Sequence, residues 1–369
     1  DTSHQSNDTF LLQKFIKDYD IEHYYEFGRS GVPGIVLEES GFVVPGTVLI
    51  SGEKGFNELG ALGCYVIRNS SNEIALSWAT GEQWIQVPNS ILIDIKGEIG
   101  QWVSGTDIAL HFLRNFELPL EDNYIFEVRG EGLASIPVYE RLNFARVLFD
   151  FSGKPVLFET DQKVVEYLSD IAQKEAHYFY GDDDAKYLKK DVIDLNQVEP
   201  MLAVSSDCEE ISYHSLSDFI SENDEQGIDK IFMGASGSGH FEDIQLGIRT
   251  SKFKKIHKDV QTIIMPGSST INSNLISEGL MGILLELNNE IYPASFFRTL
   301  AESIGIYTHN VHMLTTSSQL FLHAMETSGH NLYLGSIMTA FASGIKGTIS
   351  HPASIHHEET MKQKNETDL

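Results

Sequence analysis

The strongest constraint on this chain is the alternation of two kinds of segment. "TVLISG" (47–52), "ILIDIKGEIG" (91–100), "IFEVRGEG" (125–132), "DKIFMGAS" (229–236) and "VQTIIMPGSS" (260–269) are apolar or β-branched runs closed by Gly or Ser. Between them lie "DTFLLQKFIKDY" (8–19), "TDIALHFLRNF" (106–116), "KVVEYLSDIAQK" (163–174) and "STINSNLISEGLMGILLEL" (269–287), whose apolar residues recur at helical spacing. Strands that alternate with helices are joined by crossovers, so the pattern predicts parallel sheets and the α/β class. A chain of 369 residues, 41% of them hydrophobic, is long enough to bury two or three cores.

Two segments depart from the alternation. Residues 175–227 are polar, charged and weakly periodic, and read as an inter-domain passage whose Asp182-Asp183-Asp184 run is a solvated loop. Residues 351–369 lack an apolar period and read as a polar tail, His356-His357-Glu358-Glu359 included.

Charge and cysteine content narrow the partners. Lys plus Arg number 26 and Asp plus Glu 53, a net −27, and no basic patch offsets that field; nucleic acid and anionic membranes are therefore not expected partners. No apolar run approaches the length of a membrane span. Cys64 and Cys208 are the only cysteines, too few for a disulfide framework or a four-cysteine metal site, and they fit a reducing cytoplasm. The chain opens on Asp1-Thr2-Ser3-His4 with no initiator methionine, a start that processing or disorder of upstream residues would give.

"DKIFMGASGSGHFEDIQLG" (229–247) joins a strand, a glycine-serine turn and a helix start. Backbone N–H groups gather at such a junction and favour an anion. Gly234-Ala235-Ser236-Gly237-Ser238 also approaches a nucleophile elbow, but Ser238 stands where that motif needs glycine. The third reading is a tight turn with no ligand.

Several segments, in order, resemble the large subunit of the aconitase and isopropylmalate dehydratase family. "FGRSGVPGIVLEESGFVVPGTVLISGEKGFNELGALG" (27–63) is similar to its Gly-Arg-Gly-Gly-Ile-Pro-His segment and to its Asp-Ser-His signature followed by Gly-Ala-Leu-Gly. "FEVRGEGLASIPVYERLNFARVLFDFSG" (126–153) resembles its second domain, and "KIFMGASGSGHFEDI" (230–244) and "IIMPGSSTINSNLISEGL" (263–280) its third. "MLTTSSQLFLHAMETSGHNLYLGSIMTAFASGIKGTISHP" (313–352) is similar to its last stretch. The resemblance implies aconitase-like three-layer α/β/α domains one to three without the swivelling fourth domain: 1–87 a partial first domain, 88–190 the second and 191–350 the third. It also implies a small swivel-domain-like subunit or a homo-oligomer as partner.

The family's chemistry does not carry over residue by residue. Its [4Fe–4S] cluster hangs on three cysteines, and the matched positions here are Ser236, Phe296 and Thr299, so no cluster, other metal or further cofactor is expected. The Asp-Ser-His triplet reads Glu53-Lys54-Gly55, and the histidine after Ile-Pro reads Gly34. An Asn and a Glu of the second-domain helix read Arg146 and Asp150, and two arginines read Gln319 and Ala324. The replacements bring both signs of charge to positions where the family binds a polar acid. Glu53, Lys54, Asp150, His240 and His4 are the candidates to move a proton, and Arg146, Ser236, Gly237, Ser238, Ser268 and Gln319 the candidates to hold a small di- or tricarboxylic acid. Arg146 and Asp150, at i and i+4, are spaced to pair on one helical face. His312 and His323 read as structural.

Two functions follow. One is a cluster-free cytoplasmic enzyme of isomerisation, elimination or decarboxylation type in a small-molecule pathway. The other is an inactive binding or scaffold subunit, which rings at Phe296 and Phe297 favour by filling the cluster position. A regulator that binds RNA is disfavoured by the net charge. The turns at 234–239 and 266–269 should share a cleft, and Arg146→Ala should weaken acid binding with little change in melting temperature.

Overall fold

The computed structural model describes residues 2–26, 30–52, 56–120, 123–182, 184–205, 210–223, 225–294, 311–327 and 331–356. Two short strands, β1 (Val48–Ser51) and β2 (Tyr65–Arg68), pair in parallel. Between them runs a 3-10 turn, Asn57–Leu62, whose six residues are all buried, the charged Glu58 among them.

A four-stranded sheet follows, built from β3 (Asn89–Lys96), β4 (Tyr124–Arg129), β5 (Val156–Phe158) and β6 (Lys189–Asp194). Its order is β5-β4-β3-β6 and every pairing is parallel. Ile91, Ile93 and Ile95 are buried on one face of β3 and Leu92 on the other, as in a strand covered by helices on both sides. The Gly105–Asn115 helix starts from a buried capping box, Ser104 with Asp107, and crosses the Val138–Ser152 helix at Gly105. A Cβ at Gly105 would collide with the carbonyl of Glu140, so the crossing needs glycine there.

The third sheet holds β7 (Met201–Ser205), β8 (Ile211–Ser215), β9 (Lys230–Gly234), β10 (Gln261–Met265), β11 (Glu290–Ile291), β12 (His312–Thr315) and β13 (Asn331–Leu334). They run in the order β11-β10-β9-β12-β13-β7-β8. The first five are parallel; β7 and β8 are added antiparallel at one edge. The class is α/β, as the alternation requires.

Local expectations are corrected in four places. The passage 175–227 contains β6, β7, β8 and the helix Leu216–Glu222; β6 and β8 are edge strands with polar residues on their open sides, which hides their period. The helical pattern 269–287 is two helices, Ser269–Ser277 and Leu280–Glu286, broken where Gly279 takes φ +73°. The pattern 163–174 is helical only from Gln162 to Leu168. The start of the tail is packed: Ile355 is buried, Lys254 Nζ donates to its carbonyl at 3.0 Å, and His356 lies against Trp102. His357, Glu358 and Glu359 lie outside the described residues. No helix among the described residues is long and apolar enough to cross a membrane.

Candidate active site

In the seven-stranded sheet the chain winds outward in both directions from β9, with β10 and β11 on one side and β12 and β13 on the other. The crevice beyond the carboxyl ends of strands at such a reversal is where open α/β sheets bind ligands. Three turns meet there. Gly234 N–H donates to Thr316 Oγ1 at 3.0 Å, the Thr316 hydroxyl donates to the Gly237 carbonyl at 2.8 Å, and the Ser236 and Ser317 hydroxyls stand 3.3 Å apart. Gly267 N–H donates to the Gly239 carbonyl at 2.8 Å, so the turns after β9 and β10 adjoin as expected.

The 234–240 turn answers its own backbone. Ala235 N–H donates to the Met265 carbonyl at 2.7 Å and Gly237 N–H to the Gly234 carbonyl at 3.2 Å. Ser238 N–H donates to Asn143 Oδ1 and His240 N–H to Asp243 Oδ2, each at 3.2 Å. Ser236 and Ser238 are buried, and Ala235 and Ser238 sit at φ +54° and +58°, a conformation that non-glycine residues hold only when their surroundings enforce it. These amide donors of an anion cradle are already engaged, which favours the reading of a tight turn.

The Val138–Ser152 helix presents Asn143, Arg146 and Asp150 at helical spacing, and each reaches a different neighbour. Asn143 bonds to the 234–240 turn. Arg146 Nη2 bonds to Glu58 Oε1 on the 3-10 turn, with both side chains buried. Asp150 Oδ2 accepts from the Ser318 hydroxyl at 2.6 Å, at the start of the helix Ser318–Thr327. Both residues of the expected Arg146–Asp150 pair therefore also reach outward, Arg146 to the buried acid Glu58 and Asp150 to Ser318. Burial pushes the Glu58 carboxyl up to about 7; Arg146 pulls it down, while Asp150 and Glu38 repel its charge. Glu58 Oε2 is buried and has no hydrogen-bond partner among the described residues.

His240, a candidate for proton transfer, is held between two acids. Its Nε2 lies 3.1 Å from Glu38 Oε2 and its Nδ1 3.3 Å from Asp243 Oδ2. Burial alone would pull the imidazole down, but Glu38 and Asp243 outweigh it and hold the ring well above its ordinary value, as an imidazolium. The Tyr167 hydroxyl donates to Glu38 Oε1, and Asn143 Nδ2 donates to Asp243 Oδ1 at 2.9 Å. Next to this network Glu140 accepts from Gly105 N–H at 2.6 Å; burial first, then repulsion from Asp243, pushes its carboxyl up to about 8.

The other sequence-chosen residues scatter. Ser268 caps the Ser269–Ser277 helix, accepting from Ile271 N–H at 3.0 Å, and its hydroxyl donates to Glu39 at 2.6 Å; Gln319 is half-buried at the start of the Ser318–Thr327 helix. Glu53 and Lys54 lie outside the described residues, and His4 falls in the helix Thr2–Asp18 with its side chain outside them. His312 is bound among Gln226, Tyr333 and Asn331, in keeping with a structural part. Glu58, Glu38 and Asn143 escape the sequence reading. The one local hint for Glu58 is that it directly precedes the apolar Leu59-Gly60-Ala61-Leu62 run, a position that a surface glutamate fits equally well.

The donor set does not fit the iron–sulfur cluster that the family resemblance implies. At the first matched position the Ser236 hydroxyl faces Ser317, and the other two positions carry Phe296 and Thr299, outside the described residues. Cys64 is a core residue whose thiol burial pushes up to about 12, and Cys208 lies outside the described residues. Among the described residues no three His, Cys, Asp or Glu side chains converge as metal ligands. Thiolates are what such a cluster requires.

Comparison with known proteins bears on this site. The model of the aconitase family (aconitate hydratase) matches residues 1–347. The chain is 28% identical over 345 residues to the 3-isopropylmalate dehydratase large subunit of Moorella thermoacetica, covering 94% of this chain and 80% of that one. It is 30% identical over 352 residues to 3-isopropylmalate dehydratase large subunit 2 of Rubrobacter xylanophilus, covering 94% and 81%. The crystal structure of Thermococcus kodakaraensis aconitase X in its holo form overlaps 78% of this chain and 64% of that one, under two thirds of its length, with a TM-score of 0.44 and 10% identity.

Proposed function

This chain belongs to the aconitase family, and from that premise we propose that it is a cluster-free enzyme of hydro-lyase or isomerase type acting on a small di- or tricarboxylic acid. The observation that carries the reading is the helix face of Asn143, Arg146 and Asp150, which brings a cation and an acid against Glu58 and Ser318 beside the switch point of the seven-stranded sheet. A guanidinium suits a carboxylate, and a carboxyl group near 7 suits proton transfer at neutral pH. In this reading units 1–87, 88–190 and 191–350 meet at that seam in the cytoplasm. Relatives are named large subunits, so a small partner subunit is proposed to complete the site.

The test works whichever acid is the substrate. Chelator-treated protein is incubated in deuterated water with a panel of di- and tricarboxylic acids and followed by proton NMR. Exchange of a carbon-bound hydrogen or a new olefinic signal, absent without protein, supports the enzyme. A panel that shows neither, with or without a small partner subunit, sinks it. The second reading, a non-catalytic binding or scaffold subunit, is favoured by a specific observation: Arg146 and several amides of the 234–240 turn are already engaged within the protein.

A further inference from the structure

We propose that Glu58 is a built-in stand-in for a ligand carboxylate: it occupies Arg146 in the unliganded protein, and a small polycarboxylic acid binds by taking its place on the guanidinium while Glu58 leaves as the neutral acid. This rests on the reading of the site as an acid-binding one and adds to it how the acid enters and what proton moves. Arg146 is almost wholly buried, and a buried cation is tolerable only beside an anion. Glu58 supplies that anion through one oxygen only; its other oxygen is buried and has no hydrogen-bond partner among the described residues. A carboxylate so placed is poorly compensated for its lost hydration, so replacing it forfeits less than breaking a fully bonded pair.

The ionisable groups around Glu58 explain the proton. The Val138–Ser152 helix brings Arg146 and Asp150, the Pro33–Glu39 helix brings Glu38, itself paired with His240, and next to it Glu39, β2 carries Tyr65 and Arg68, and β5 carries none. Asp150 and Glu38 repel a charge on Glu58, so among the described residues Arg146 is the cation paired with it and acids face it from two helices. A second carboxylate brought to Arg146 would add another negative charge. Taking one proton from solvent onto Glu58 keeps the charge of the buried site unchanged: ligand carboxylate in, Glu58 carboxylate converted to carboxylic acid.

Calorimetric titration with citrate, in two buffers of unequal ionisation enthalpy, tests the exchange on wild type and Glu58→Gln. At pH 8 wild type should take up more protons per citrate than the variant, by up to about one; citrate's own protonation is common to both and cancels. Citrate affinity of wild type relative to the variant should rise about tenfold from pH 8 to pH 6, because a group that titrates near 7 is roughly one-tenth protonated at the first pH and nine-tenths at the second. Equal proton uptake and equal pH dependence in the two proteins overturns the exchange and leaves the acid-binding reading standing. No citrate binding to either protein overturns both. Should Glu58→Gln fail to fold, carbon-13 NMR of the wild-type Glu58 carboxyl decides: with citrate saturating at pH 8 its signal must move to the protonated position, and a signal that stays ionised overturns the exchange.

Discussion

Two charged networks lie one helical turn apart on the Val138–Ser152 helix, and they are built differently. The one reached through Asn143 joins Tyr167, Glu38, His240 and Asp243, and engages all four carboxylate oxygens: Tyr167 and His240 on Glu38, Asn143 and His240 on Asp243. Among the described residues, the one reached through Arg146 engages a single oxygen of Glu58. Both are buried, so neither is a surface pair screened by water. The first ties the Pro33–Glu39, Gln162–Leu168, Val138–Ser152 and Phe241–Ser251 helices together, and every group in it would have to find a new partner if one were lost. The second has a half-satisfied acid that can change its charge. Saturation marks a staple; a missing partner marks a place where the protein can exchange one ion for another.

The largest expected effect comes from breaking the staple. His240→Ala strips the cation from two buried carboxylates and should cost about 3–5 kcal/mol of unfolding free energy in urea titration. A loss below about 1 kcal/mol would show that the network is not the tie described here. Arg146→Met should cost somewhat less, about 2–3 kcal/mol, because Glu58, held near 7, can take a proton once its partner is gone. This replaces the sequence-based expectation that removing Arg146 leaves the melting temperature nearly unchanged, which holds only for an exposed arginine. Glu58→Gln combined with Arg146→Met should return to within about 1 kcal/mol of wild type, since removing both ions leaves no uncompensated charge.

Next in size is a pH effect. Burial raises Glu140 to about 8, Glu58 to about 7 and Asp107 to about 6, each above its ordinary value, so the native state binds protons that the unfolded chain releases. Their contribution is full below the ordinary carboxyl range and is lost as pH rises through those values. His240, raised as a base, has the same sign: its contribution is present below the ordinary imidazole value and is lost as pH climbs through its raised one. Melting temperature should therefore fall from pH 5 to pH 8. Glu140→Gln should flatten that slope and stabilise the protein by about 1–3 kcal/mol at pH 8 with little change at pH 5. A slope unaltered in the variant would remove Glu140 from the account.

How much of this was legible in the sequence follows from burial. The central strands β3, β4, β9 and β10 are covered on both faces, so they read as mostly apolar runs, interrupted by Asp94 in β3 and Glu127 in β4, whereas β6, with Lys189, Lys190 and Asp194 along it, and β8, with Ser212 and His214, look like loop. Arg146, Asp150 and His240 stand out in the sequence because a family resemblance and helical spacing single them out. Glu58 and Glu38 do not, since a glutamate reads as surface unless its neighbours are known to be inside. Glu38 sits in "GIVLEESG" beside Glu39, and only the fold shows that the first faces His240 and the second Ser268. The Arg146–Glu58 pair joins residues far apart in the chain, a contact that no local period encodes.

The smallest effect sharpens the comparison within the unsaturated network. Asp150 repels the Glu58 charge, and its own position is held by the 2.6 Å bond from the Ser318 hydroxyl. Asp150→Asn keeps the shape and an acceptor for Ser318 but removes the negative charge. The Glu58 carboxyl should then titrate lower, by a fraction of a unit, because burial, the first cause of its rise, is untouched. Unfolding free energy at pH 8 should increase by less than about 1 kcal/mol, with the gain vanishing at pH 5 where Glu58 is protonated in either protein. Carbon-13 titration of Glu58 reads the shift directly. A Glu58 value that rises in Asp150→Asn, or that moves as much when Asp243 is made neutral, would mean that the two networks are electrically one, and the distinction between staple and exchange site would go with it.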